Sequence, residues 1–244
     1  MFDVRRLIAG GCSATVCVLF SATATVDNAR AGAGCPRDMA IVDGTVCVDR
    51  WEASLVSART NHAVTPYENP GATAVRAVSR AGAVPQAYIS KTQAEAACHA
   101  SHKRLCREAE WMKACQGRTP TRFPYGDERR ERYCNDHGVG PLATYYPNTQ
   151  AAYSSNEAMN DSRLNRSPNT VARTGSHRRC KNSYGIYDMV GNVHEWIDDP
   201  AGTFRGGYYL DTHQNGDGCS YRTDAHDVSY HDYSTGFRCC KDPV

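Results

Sequence analysis

Several features that would place a chain at once are missing from this sequence. It has no excess of either charge: the formal net charge is +2, with 22% of residues charged. A surface that binds nucleic acid by neutralising phosphates needs a basic excess, so nucleic acid is not an expected partner. After residue 31 there is no uninterrupted apolar run long enough to cross a bilayer, so no membrane span is expected in the remainder. Its 12 cysteines do not form two CxxC knuckles, which argues against structural zinc. No internal repeat, low-complexity block or clear interdomain linker interrupts the 244 residues. That length can bury a full core in one domain, and the pattern excludes solenoids and disordered tails.

What is present begins with a distinct N-terminal segment. Arg5 and Arg6 precede a weakly apolar stretch from Leu7 to Val26, and Ala29-Arg30-Ala31 offers a small-x-small cleavage site. This reads as a secretory signal over residues 1–31, leaving a domain over residues 32–244 that is secreted or periplasmic. Removing Cys12 and Cys17 with the signal leaves ten cysteines, an even number that favours disulfides in an exported chain.

Local patterns predict few regular elements. Met39 to Asp49 reads as a hairpin of two short apolar strands around the two-residue turn Asp43-Gly44. Residues 55–87 are turn-rich, with Pro66, Pro70 and Pro85, and read as loops with one strand. Ser90-Lys-Thr-Gln93 is a capping box that should start a helix over about Thr92–Ser101, with Ala94, Ala97 and Cys98 inward. A second helix should begin near Arg107, bury Trp111, Met112 and Cys115, and stop at Gly117. Residues 147–169 carry turn chemistry, and short strands are expected around Phe204-Arg-Gly-Gly-Tyr-Tyr and Gly236-Phe-Arg-Cys-Cys. The sum is one α+β domain with much irregular structure.

The most informative segment is Tyr184-Gly-Ile-Tyr-Asp-Met-Val-Gly-Asn-Val-His-Glu-Trp196. It sets carboxylates at Asp188 and Glu195 around glycine and small-residue carbonyls, a donor set that suits a hard cation such as Ca²⁺. From the residues alone, a solvated loop leading into an ordinary strand is the better reading.

This segment resembles the signature of the formylglycine-generating-enzyme, or sulfatase-modifying-factor, family. Four further stretches agree in order: Ala87 to Cys98, Lys103 to Trp111, Phe204-Arg-Gly-Gly207 and Gly236-Phe-Arg-Cys239. The resemblance implies a single compact α+β domain related in form to C-type lectins, with little regular secondary structure. It implies two structural calcium sites. One would use the Asp188 side chain, the Gly191 and Val193 carbonyls and Glu195; the other Asn135, the Asp136 carbonyl, Asp161 and the Arg163 carbonyl. It also implies a disulfide between Cys98 and Cys239 and another starting at Cys115, whose usual partner position is held here by Thr223, so that Cys219 would be a substitute partner. Cys106 with Cys240, Cys134 with Cys180 and Cys35 with Cys47 would complete the set.

Oxidases of this family bind copper(I) through two cysteines shortly after the Arg-Gly-Gly element, because soft thiolates suit Cu(I). Here the first of those positions is Asp211, and the second has at best Cys219, so copper is not expected. Iron-dependent relatives assemble three histidines, largely on an added domain absent here; His194, His213, His226 and His231 are the remaining candidates. Asp211 with His213 could form an acid–base pair, but no nucleophile stands beside it. Two functions follow. The first is a binding or accessory module that holds a peptide, glycan or protein on a face near Arg205, Tyr208, Tyr209, Arg222 and Trp196, with His226 buttressing the pocket. The alternative is a diverged oxidase that still converts a protein cysteine to formylglycine, or another metal-dependent oxidoreductase.

Overall fold

The structure, a computed structural model, describes residues 34–224 and 226–244, so the expected signal at residues 1–31 lies outside the described residues. β1 (Met39–Val42) and β2 (Val46–Asp49) pair antiparallel with Val42 opposite Val46. The connection is therefore three residues long rather than two. Asp43 and Gly44 both take positive φ (47° and 71°), and the Thr45 N–H closes the turn onto the Val42 carbonyl. β3 (Ala53–Ser57) and β4 (Val75–Ser79) form a second antiparallel pair, where the sequence suggested loops with one strand. The inward residues of β4 are Ala77 and Ser79, too small and too polar to mark a strand by hydrophobic alternation.

α1 (Lys91–His99) starts at Ser90, whose Oγ accepts the Gln93 N–H while Gln93 Oε1 accepts the Ser90 N–H. The two orphan donors are thus satisfied reciprocally, and Ala94, Ala97 and Cys98 are buried. β5 (Arg104–Leu105) leads into α2 (Glu108–Gln116), which buries Trp111, Ala114 and Cys115 and ends at Gly117. Met112, expected inward, is only half-buried at the edge of the core. Three one-turn helices follow: α3 (Leu142–Tyr145), α4 (Thr149–Tyr153) and α5 (Asn156–Met159). The turn-forming residues Asn148 and Ser155 act as caps for the last two, accepting the Ala151 and Ala158 N–H groups.

The C-terminal half supplies β6 (His194–Trp196), β7 (Phe204–Arg205), β8 (Arg222–Thr223), β9 (Thr235–Phe237) and β10 (Cys239–Lys241). One sheet runs β1-β2-β10-β5 and another β8-β7-β6-β9, in which only β6 and β9 are parallel. Gly236-Phe-Arg-Cys239 thus passes directly from one sheet to the other, and Trp111, Trp196 and Arg238 are fully buried around that crossing. Five disulfides join Cys35 to Cys47, Cys98 to Cys239, Cys106 to Cys240, Cys115 to Cys219 and Cys134 to Cys180. The described residues form a single α+β domain.

Candidate functional site

The loop before β6 cannot be helical, because Asp188, Gly191 and Asn192 all take positive φ (56°, 79° and 65°). A Cβ on Gly191 would be driven into the Asn135 carbonyl oxygen, so glycine permits the loop to lie against the chain at Asn135. Asn192 then ties three segments together. Its N–H donates to the Asn135 carbonyl, its Oδ1 accepts from Asn135 Nδ2 and the Ala172 N–H, and its Nδ2 donates to Glu52 Oε2. Glu52 Oε1 takes the Val193 N–H at 3.2 Å.

Behind this loop sits a buried charge cluster. Arg238 donates to both oxygens of Glu195 at 2.5 and 2.6 Å, and the Trp111 indole N–H adds a third bond at 2.6 Å. Burial alone would lower the Arg238 guanidinium; the carboxylates of Glu195 first, then Glu52 and Asp188, together outweigh it and keep it above its ordinary value. Asp188 and Glu52 are buried as well, and neither forms an ion pair among the described residues. Burial pushes Asp188 up to about 7, and burial followed by the neighbouring Asp188 and Glu195 charges pushes Glu52 well above its ordinary value. Three carboxylates thus face one guanidinium. The pressure to take up protons or a cation is a direct consequence of that imbalance.

The residues of the first expected calcium site fit a cation unevenly. Asp188 has one oxygen on the Gly175 N–H at 2.6 Å and the other without a hydrogen bond among the described residues, whereas both oxygens of Glu195 are already engaged. No group of three or more His, Cys, Asp or Glu side chains converges to hold a metal among the described residues. A cation here would therefore draw on carbonyls such as those of Gly191 and Val193 beside Asp188. At the second expected site, the Asn135 amide bonds the Thr170 carbonyl and Asn192, while Arg129 donates to the Asp136 carbonyl. Asp161 is held by Arg163, which lowers its carboxyl to about 2, and by Tyr146; the Arg163 carbonyl accepts from Ser167. No hydrogen bond or ion pair among the described residues joins Asn135 and Asp136 to Asp161 and Arg163.

The region after Arg205 is a tight loop. Gly206 and Gly207 take positive φ, and the Tyr208 N–H and Asp211 carbonyl bond at 2.9 Å. Asp211 is buried and both of its carboxylate oxygens are hydrogen-bonded. Oδ1 accepts the His213 and Gln214 N–H groups and lies 3.2 Å from His213 Nδ1, while Oδ2 accepts the Tyr221 hydroxyl at 2.9 Å. Such an arrangement fixes a turn and engages both carboxylate oxygens in structural hydrogen bonds. Cys219 is 1% exposed and its sulfur is bonded to Cys115. All ten cysteines of the described residues are in disulfides, so none of them supplies a thiolate.

The histidines form no three-ligand group among the described residues. His194 is buried against Phe204, Tyr208 and Tyr221, its Nδ1 has no hydrogen-bond partner among the described residues, and burial lowers it to about 3. His226 stacks on Tyr230 with ring centres 4.0 Å apart, and His231 Nδ1 lies 2.7 Å from Asn160 Oδ1. The expected binding face is largely interior: Trp196 and Tyr209 are 1% and 0% exposed, and Arg205 is 6% exposed. Trp196 donates to the Ile89 carbonyl at 2.8 Å. Arg205 and Arg222 both pair with Glu108, and Arg222 also with Asp224. Tyr208, Arg222 and His226 remain partly exposed. Glu52 escaped the sequence reading, and Asn192, though inside the Tyr184–Trp196 motif, was not singled out there, since neither spacing nor composition marks a residue whose role is to join distant loops.

Five ordered motifs, the glycine-shaped loop before β6 and the Glu195–Arg238–Trp111 cluster define the class to which this chain belongs. Residues 31–243 match the Sulfatase-modifying factor enzyme 1-like domain, and the chain is a member of that family. Among individual proteins, it is similar to the formylglycine-generating enzyme of Mus musculus, with 30% identity over 117 residues, 47% of this chain and 27% of the mouse protein. The matched stretch thus spans well under half of that relative's length. Among solved structures, the Major Tropism Determinant I1 variant aligns with a TM-score of 0.50 at 12% identity, over 86% of this chain and 54% of that one. The M1 variant of the same protein gives a TM-score of 0.50 at 13% identity, over 86% and 53%. At such identity the likeness concerns the fold, which is the α+β, C-type-lectin-related one.

Proposed function

We propose that this chain is an exported, calcium-stabilised binding or accessory domain of its family, without copper–cysteine oxidase activity. One observation carries the reading: at the two positions where an oxidase needs thiolates, Asp211 is consumed as a loop cap and Cys219 is bonded to Cys115. A two-thiolate Cu(I) centre has no ligands there. Five disulfides in so small a domain support an oxidising destination, and no helix among the described residues is long and apolar enough to cross a membrane. The decisive assay incubates the purified protein, supplied with copper(I), with a peptide carrying the family's target cysteine and reads formylglycine by mass spectrometry. No conversion is expected, and turnover above that of the copper-only control would overturn the proposal.

Calcium is the cofactor that the buried carboxylates favour. The Asp188 side chain with the Gly191 and Val193 carbonyls would hold it, with Glu195 shared between the ion and Arg238. The ion would supply charge compensation and fix the loop, with no catalytic part. Millimolar Ca²⁺ should raise the thermal midpoint relative to chelator by mass action, and Asp188→Asn should remove most of the rise. An unchanged midpoint in wild type, with no calcium retained after dialysis, would contradict this assignment.

A further inference from the structure

A groove on a different face carries chemistry that none of the expected sites absorbs. It encloses about 770 Å³ between Trp51 and Tyr187 on one side and the segment around Arg173, Gly175, Arg178 and Lys181 on the other. That volume is in the ~300–1,000 Å³ range of small-ligand sites. The Trp51 and Tyr187 rings are nearly parallel, 15° apart with centres at 6.1 Å, and both remain partly exposed. Lys181 Nζ stands 5.6 Å from the Tyr187 ring centre.

The charge on this groove is unbalanced. Arg173, Arg178 and Lys181 are exposed and form no ion pair among the described residues, and no acidic side chain lines the groove. Lys103, Arg104, Arg163, Arg205 and Arg222 each lie against a carboxylate. Other exposed arginines such as Arg59, Arg118 and Arg132 are also without an ion pair among the described residues, so what marks the groove is three such cations gathered beside two aromatic rings. In a chain of net charge +2, three uncompensated cations around one aromatic pair are a local concentration. The wall is also rigid. The Gly175 N–H is fixed by Asp188 at 2.6 Å, and Arg173 Nη1 donates to the Gly82 carbonyl at 2.9 Å. The Thr174 backbone exchanges bonds with Gly82 and Ala83 at 2.9 and 2.8 Å. Gly175 lies where a Cβ would press on the Trp51 indole nitrogen, so the glycine lets the wall close on the ring.

We propose that this groove binds an anionic saccharide, a sugar unit bearing a carboxylate or sulfate. Aromatic rings offer the apolar surface on which the C–H face of a sugar packs, and guanidinium groups bind carboxylate and sulfate oxygens by charge-assisted, often bidentate, hydrogen bonds. A single-stranded nucleic acid would use the same two elements. The disulfide content favours the saccharide, since in an oxidising, extracytoplasmic setting the abundant polyanions are glycans. The proposal rests on the binding-module reading but not on the fate of Asp211 and Cys219, so its failure leaves the oxidase question where the peptide assay puts it.

The test titrates the full purified chain with a heparin-type sulfated tetrasaccharide, its desulfated form, a neutral tetrasaccharide and a short single-stranded DNA, following tryptophan fluorescence and heat. Binding of the sulfated or the carboxylate-bearing desulfated sugar, weakened by salt, is expected. Arg178→Gln with Lys181→Gln should weaken it about tenfold or more, the loss of one or two contacts to charged groups. Trp51→Ala should abolish the fluorescence change, and a melting curve checks that this variant is folded; the two surface substitutions carry the test if it is not. No binding of either anionic sugar, equal binding of the neutral sugar, tighter binding of DNA, or indifference to the double variant would each overturn the proposal.

Discussion

At the scale of single residues, the chain concentrates ionisable groups where water is absent, and the outcome differs from one carboxylate to the next. Glu195 has Arg238 and Trp111, and removing either charge of such a pair is far more harmful than replacing both. Asp49 is wholly buried with Lys103 Nζ 2.6 Å away and the Cys239 N–H at 3.1 Å. Burial nevertheless outweighs these contacts and raises it from 3.8 to about 6. The folded state then holds the Asp49 proton more tightly than the unfolded state. Its contribution to stability is fully present below about pH 3.8 and is lost as pH rises through about 6. Urea unfolding of wild type and Asp49→Asn should therefore show the wild type losing stability relative to the variant between pH 4 and 6, with a constant difference above 7. A difference independent of pH over that interval would show that Asp49 keeps an ordinary pKa. Asp188 and Glu195 were legible because they sit inside a motif. Glu52 was not, for a residue that meets its partners from across the fold leaves no local periodicity.

Elements are short here, and loops set their positions. The capping box at Ser90 and the stop at Gly117 were readable because both are local hydrogen-bond or dihedral requirements. The one-turn helices α4 and α5 were not, because the side chains that cap them are those that favour turns. β3 and β4 were obscured for a different reason: they pair across a long turn-rich connection, and β4 turns small and polar residues inward. Glycines separate local from tertiary demands. Gly44 and Gly191 take similar φ (71° and 79°), but a Cβ at Gly44 meets nothing within 4 Å, whereas one at Gly191 is driven into the Asn135 backbone. Gly44→Ala should cost about 1–2 kcal/mol, the dihedral penalty alone. Gly191→Ala should cost clearly more in the same denaturation experiment, and equal losses would mean that the loop before β6 is not held against Asn135.

For the whole molecule, the family's motifs are found where they build the fold, and the proposed lack of oxidase chemistry rests on Asp211 and Cys219. The Cys98–Cys239 bridge joins α1 to β10, and Arg238 between the two sheets anchors Asp49, Tyr187 and Glu195 together. These are structural roles, readable from the ordered motifs. The binding face inferred from Arg205, Tyr209 and Trp196 was misleading in a physical sense, because aromatic and arginine side chains next to glycine turns suit a packed interior as well as an open surface, and here they mostly pack. Apart from Tyr187, the groove at Trp51 lies outside the motifs, and only tertiary structure brings residue 51 beside residues 173–187.

The measurement closest to the central claim is a thiol titration of the purified mature protein, denatured without reductant, with peptide mapping of Cys219. The account predicts no free thiol and a Cys115–Cys219 disulfide-linked peptide. Two free thiols that include Cys219, accompanied by bound copper, would contradict it and return the chain to the oxidases.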